Sequence, residues 1–275
     1  MAKKILGFFN KQKQFEQDVM ENGMQYSSFY GDSLRRLKKN KMAMFCACVL
    51  ILLALMAIFA PLLAPYDPTY QDYSAVLGGP CKAHPFGTDE FGRDILSRII
   101  YGSRVSMIVA VGATIVGAFI GVLIGLTAGY FGGWIDSVLM RVMDGMFSFP
   151  FILLAMILIT VLGNGVMNVI LAIGIASVPG FARVTRGQVL IVKEEEYCNA
   201  CRVVGVSPVR LLFLHILPNC VSQIIVYATL RIASAIISEA SLSFLGLGIA
   251  LPTASWGSIL RVGRDCLTTA PHVAG

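Results

Sequence analysis

Few residues in this chain have the type and spacing that chemistry requires. Cys198 and Cys201 form a C-x-x-C pair, the form used by zinc sites and redox centres. No second pair stands at zinc spacing and no βαβ pattern surrounds this one, so Cys201 reads instead as a small apolar residue packed inward. His84, His215 and His272 fall in three unrelated contexts and assemble no metal site. The sequence contains no G-x-x-x-x-G-K-[ST] phosphate loop, no H-E-x-x-H and no G-x-S-x-G. It reads as non-enzymatic, with no catalytic residue, cofactor or metal of its own.

Charges inside apolar runs carry more information, because each is costly in lipid and must face protein or water. Arg141 and Asp144, in MRVMDGMFSFP, share a helix face, where they could pair or simply snorkel to the interface. Arg231 and Glu239 also lie roughly on one face, either as a structural pair or as groups lining a cavity or meeting a neighbouring subunit. Gly117, Gly121, Gly125 and Gly129 recur every four residues, a row that lets another helix come close.

The elements that carry these residues are membrane helices. Of the 275 residues 56% are hydrophobic and only 14% charged, which makes lipid the main solvent. Five segments approach the ~20 apolar residues a bilayer span needs: 42–64, 105–130, 138–162, 166–182 and 221–245. The tail before the first span is rich in Lys and Arg (Lys3, Lys4, Lys11, Lys13, Arg35, Arg36, Lys38, Lys39, Lys41), which places it in the cytoplasm. Alternation then places the loop after span one outside and the 183–219 loop inside. Arg183, Arg186, Lys193, Arg202 and Arg210 in that inner loop give the same orientation. The net charge of +6 follows from this topology and from anionic lipid, with no need for nucleic acid. The tail reads as a solvated leader, with a short amphipathic helix at 5–9 as the alternative. Cys81 and Cys266 are the only cysteines placed outside, so a disulfide between them is conceivable, with nothing further in the sequence to support it.

The 193–219 segment, KEEEYCNACRVVGVSPVRLLFLHILPN, is polar and then amphipathic between two apolar runs. It predicts a short helix with Tyr197, Ala200, Cys201 and Val204 on one face and Glu195, Asn199 and Arg202 elsewhere. Gly205 would end that helix in the left-handed conformation, Ser207-Pro208 would start a second one, and Pro218 would break it. Two short helices at an angle form a rigid knob suited to docking.

This segment resembles the cytoplasmic motif of binding-protein-dependent ABC importer permeases: E-A-A, three residues, G, nine residues, I-x-L-P. Ala200, Gly205, Leu217 and Pro218 match that pattern, while Asn199, Cys201 and His215 depart from it. The segments HPFGTDEFGRDILSRIIYGSRVS (84–106), MRVMDGMFSFPFILLA (140–155) and SEASLSFLGLGIALPTASWGSIL (238–260) are also similar to the C-type subunit of the dipeptide/oligopeptide/nickel branch.

The resemblance implies an all-α polytopic bundle with the ABC importer transmembrane-domain fold. Its parts would be a basic cytoplasmic tail (1–41), a first transmembrane helix (42–64), an external loop (65–103), a permease domain (104–260) holding the coupling loop 183–219, and a C-terminal end (261–275). The family usually has six spans, and the expectation is that the sixth is missing here. The resemblance assigns ATPase coupling to Glu196, Tyr197, Asn199, Ala200, Cys201, Gly205, Pro208, His215, Leu217 and Pro218. It implies a bacterial inner-membrane location and four kinds of partner: a second permease subunit, two ABC ATPase subunits that bind ATP and Mg, an extracytoplasmic substrate-binding protein, and membrane lipid. The expected cargo is di- or oligopeptides, with nickel, haem or glutathione as alternatives. An ion-coupled secondary transporter is the rival class, for which Glu239 would be the coupling acid.

Overall fold

A computed structural model of the chain describes residues 38–273. Most of the basic tail, including the 5–9 segment, therefore lies outside the described residues. The chain forms two units, one ending at Leu52 and the other beginning at Leu53. In the first, the described residues belong mainly to the start of helix α1 (Lys41–Ile58), whose Met42, Phe45, Leu50 and Leu52 are exposed, as suits a helix facing lipid or another chain.

The second unit contains α2 (Ile95–Phe131), α3 (Gly133–Phe147), α4 (Phe151–Leu162), α5 (Val166–Val192), α6 (Glu196–Val203), α7 (Pro208–Phe244) and α8 (Trp256–Asp265). Among the described residues there is no β-strand, only one isolated bridge between Thr88 and Asp94. Helices α1, α2, α5 and α7 are each long and apolar enough to cross a membrane. The single span expected at 138–162 is instead a broken pair, α3 and α4, bent by 91°. Pro150 sits in extended backbone at the start of α4, and having no N–H it cannot continue α3. Bent pairs of this kind survive in membranes where protein covers the freed backbone.

Three helices outrun their apolar stretches. Helix α2 starts at Ile95 because Asp94 caps it, accepting bonds from Ser97 N at 2.8 Å and Ser97 Oγ at 2.7 Å. Helix α5 continues past Ala182 through Arg183 and Arg186. Helix α7 starts at Pro208 and passes Pro218 without a break, which corrects the expected helix end there. A π-turn over Leu212–Ile216 absorbs the proline: Leu217 N bonds five residues back to the Leu212 carbonyl.

The glycine row brings α2 and α5 into close contact. A Cβ on Gly121 would stand 2.5 Å from Phe181 Cβ and 2.7 Å from the Val178 carbonyl oxygen. One on Gly125 would stand 2.5 Å from the Ala182 carbonyl oxygen, and one on Gly129 2.8 Å from Val189 Cβ. Gly174 answers from α5, with Val116 Cγ1 at 2.8 Å from its would-be Cβ. Helices α2 and α5 thus run parallel with backbones nearly touching. Apolar layers flank the seam: Val109, Ala113, Ile159, Ile173 and Leu242 toward the α2 start, and Leu126, Phe181, Leu211 and Ile216 toward the α6 end.

A polar cap closes the end where α2 begins. Asp89 accepts from Arg93 Nε at 2.7 Å and faces Arg98 Nε at 3.5 Å; both arginines are almost fully buried. Arg98 Nη1 also donates to the Pro68 and Pro252 carbonyls at 3.1 and 3.4 Å, and His84 Nδ1 lies 2.9 Å from Asp94. Cys81 and Cys266 are free thiols, the first exposed and the second buried.

The seam tolerates no side chain at Gly121. Gly121→Leu is expected to lower the stability of the detergent-solubilised chain by about 2 kcal/mol or more. Gly145→Ala, with nothing within 4 Å of its Cβ, should leave stability nearly unchanged. Thermal unfolding of the two variants checks this, and equal melting curves would refute the seam.

Candidate docking knob and intramembrane polar groups

Helix α6, the turn after it and the first residues of α7 build a protrusion at the far end of α5. Its fixed point is Gly205, at φ +82° with nothing near its would-be Cβ, so backbone conformation rather than crowding requires glycine. Gly205 N bonds the Arg202 carbonyl and Val206 N the Cys201 carbonyl, both at 3.0 Å. This is a Schellman closure, which satisfies two of the carbonyls at the end of α6. Ser207 occupies the N-cap position before Pro208, as the spacing suggested, but its side chain makes no capping bond.

The buried face of α6 differs from the expected one. Cys198 is fully buried against Val192, Leu211, Leu212 and Ile216, with Cys201 half-buried beside it. Tyr197 and Ala200 are exposed, and Val204 is 81% exposed. An eight-residue helix has too few apolar positions for periodicity to orient it; the apolar wall of α7 decides. Val203, Val204 and Val209 consequently form an exposed apolar tip. Among the described residues no three potential metal ligands gather, and Cys198 packs in the core of the knob with Cys201 against it.

The remaining residues of the motif hold or flank this core. Asn199 Oδ1 accepts from Arg202 Nη1 at 2.9 Å, and Arg202 Nη2 reaches the Lys193 carbonyl at 3.3 Å. Lys193 Nζ donates to the Gly129 carbonyl at 3.0 Å, tying the base of the knob to the end of α2. Glu196 is exposed, and desolvation followed by the neighbouring Cys198 pushes the Tyr197 phenol up to about 12, so it stays a neutral hydroxyl near neutrality. His215 lies in the π-turn, where its carbonyl accepts from Asn219 Nδ2 at 2.7 Å; Leu217 packs beneath and Pro218 is exposed.

The intramembrane charges are distributed differently from their sequence pairing. Asp144 bonds Arg183 Nη2 at 2.6 Å rather than Arg141, and Arg141 is exposed and forms no ion pair among the described residues. Asp136, which the sequence did not single out, takes both Nε and Nη2 of Arg186 at 2.5 and 2.6 Å. This fork and the single Asp144–Arg183 bond clamp α3 to α5, and a guanidinium from another helix can approach a carboxylate end-on where an i, i+3 neighbour cannot. Arg231 and Glu239 also remain apart. Arg231 lies over the Phe151 ring at 4.7 Å.

Glu239 is completely buried and accepts from two serines, Ser106 Oγ at 3.0 Å and Ser243 Oγ at 2.8 Å. Ser106 Oγ in turn accepts from Trp256 N, and Ser243 Oγ from Ile249 N, each at 3.3 Å. Two donor chains thus converge on one carboxyl group and fasten the 246–256 loop to α2 and α7. Ser106→Ala and Ser243→Ala should each lower thermal stability by about 1–3 kcal/mol, because the buried carboxyl group loses a donor. Unchanged melting of both variants would show that the chains carry no load.

Comparison with known proteins adds to this geometry. The family described as binding-protein-dependent transport system inner membrane component matches residues 121–271. The N-terminal TM domain of oligopeptide transport permease C matches residues 28–80. Relatives named glutathione transport system permease protein GsiD, from Escherichia coli O6:K15:H31, Shigella boydii serotype 4 and Shigella sonnei, are each 48% identical over 241 residues, which covers 87% of this chain and 80% of each relative. The chain belongs to the binding-protein-dependent transport system inner membrane components, as a multi-pass permease subunit of an ABC importer.

Proposed function

We propose that this permease subunit serves ATP-driven import of short peptides, with glutathione the first candidate, and that it takes its driving force through the α6 knob. The observation that carries the coupling role is the knob itself: a protrusion fixed by Gly205 and the buried Cys198, with an apolar tip of Val203, Val204 and Val209 open to a partner. Residues Glu196, Tyr197, Asn199, Ala200, Cys201, Gly205, Pro208, His215, Leu217 and Pro218 make up its shell and root. An ATPase subunit is the proposed occupant. A second permease subunit would complete the path, two ATPase subunits would bind ATP and Mg, and an extracytoplasmic binding protein would deliver cargo at the cap. This places the knob and the N-terminus in the cytoplasm, in keeping with the basic residues around both.

The name of the relatives supports glutathione over longer oligopeptides. The ion-coupled reading loses its main support, since Glu239 is sequestered by two serine hydroxyls. Class and cargo are tested together by uptake of labelled glutathione into cells with and without this chain. Import that persists when ion gradients collapse but stops on ATP depletion is expected. The reverse dependence would overturn the reading.

The knob makes its own prediction. A β-branched side chain at φ +82° strains the backbone by about 1–2 kcal/mol or more and displaces the tip. Gly205→Val is expected to cut uptake about tenfold, which corresponds to 1.4 kcal/mol of lost coupling, while the chain still reaches the membrane. Undiminished uptake by this variant would remove the knob from the mechanism.

A further inference from the structure

The arginines on α5 and α7 differ in their partners. Arg183 and Arg186 each face a carboxylate, Asp144 and Asp136. Arg231 meets none among the described residues. Among the described residues its Nε is buried without a partner, and its two terminal nitrogens make no hydrogen bond. The guanidinium is held on one side by the Phe151 ring, at the point where α4 resumes after the 91° bend.

Depth rules out the simplest partners. At 1.5 Å per residue, Arg231 lies about 15 Å from Val221 and about 20 Å from Leu245, the two ends of the apolar stretch 221–245. Within a hydrocarbon layer about 30 Å thick, that is far from lipid phosphate at either face. Its neighbours on the same helix face, Tyr227, Ser234 and Ser238, bring no negative charge. The two serine hydroxyls donate to their own helix, to the Leu230 and Ser234 carbonyls at 3.1 and 2.8 Å. An arginine at this depth is costly unless an anion meets it, and a planar guanidinium with two open nitrogens fits a carboxylate bidentately.

We propose that Arg231 binds the C-terminal carboxylate of the peptide as it crosses the membrane, a site that rests on the peptide-import reading above. The C-terminal carboxylate is the one anion that every linear peptide shares, so one arginine serves many sequences. The Phe151 ring keeps the guanidinium oriented when no substrate is present.

The test uses the assembled complex in proteoliposomes, with both permease subunits, the ATPase subunits and the binding protein. Labelled glutathione and its glycyl ethyl ester serve as probes, with rates expressed per peptide loaded on the binding protein. Wild type should carry glutathione faster than the ester. Arg231→Gln should lower the glutathione rate about tenfold relative to the ester, and Arg231→Lys should keep most of the preference. If Arg231→Gln slows both probes equally, the carboxylate site is wrong. If it instead releases the second permease subunit on purification, Arg231 is an inter-subunit pair and the inference falls. If wild type carries neither probe, the import reading fails and the site fails with it.

Discussion

The rest of this structure depends on the approach of α2 to α5. Lipid offers no hydrophobic force between helices, so association relies on close packing, and close packing needs small residues. Gly117, Gly121, Gly125 and Gly129 give α2 a bare face, and Ser177, Ala182, Thr185 and Val189 of α5 fill it. Once α5 is fixed this way, Arg183 and Arg186 stand where they can hold Asp144 and Asp136 of α3. Val189 and Val192 become part of the wall on which Cys198 and Leu211 pack. The knob inherits its position from the seam.

Its stiffness has a different origin. Helix α6 is too short to be stable alone, yet its last carbonyls are closed by the Gly205 turn and its underside is sealed by α7. Because α7 runs unbroken from Pro208 to Phe244, the knob and the membrane-spanning rod are one helix beyond that turn. The same rod carries Arg231 over the Phe151 ring and Glu239 beside the 246–256 loop. The root of the knob and both polar groups therefore share one continuous helix.

The polar groups divide by what satisfies them. Arg93 and Arg98 share the Asp89 carboxylate within the cap, and Glu239 is held by the hydroxyls of Ser106 and Ser243. Buried charge of this sort is tolerated only when its partners are fixed in place. Arg231 meets no carboxylate among the described residues and is stabilised on one side by an aromatic face.

The class of the molecule was legible without any structure. A composition dominated by apolar residues in runs long enough to span lipid determines helices, because no other open backbone survives there. The glycine row determined the seam, and Gly205 determined the turn, because both signals are local: a missing side chain and a backbone angle. Tertiary structure alone decided the matters that depend on distant partners. Which face of α6 is buried was set by α7, which arginine Asp144 takes was set by α5, and Pro218 could remain in a helix because a π-turn before it absorbs the missing N–H. The bend at Pro150 belongs to the same group, since a proline marks where a helix can break while its packing decides whether it does.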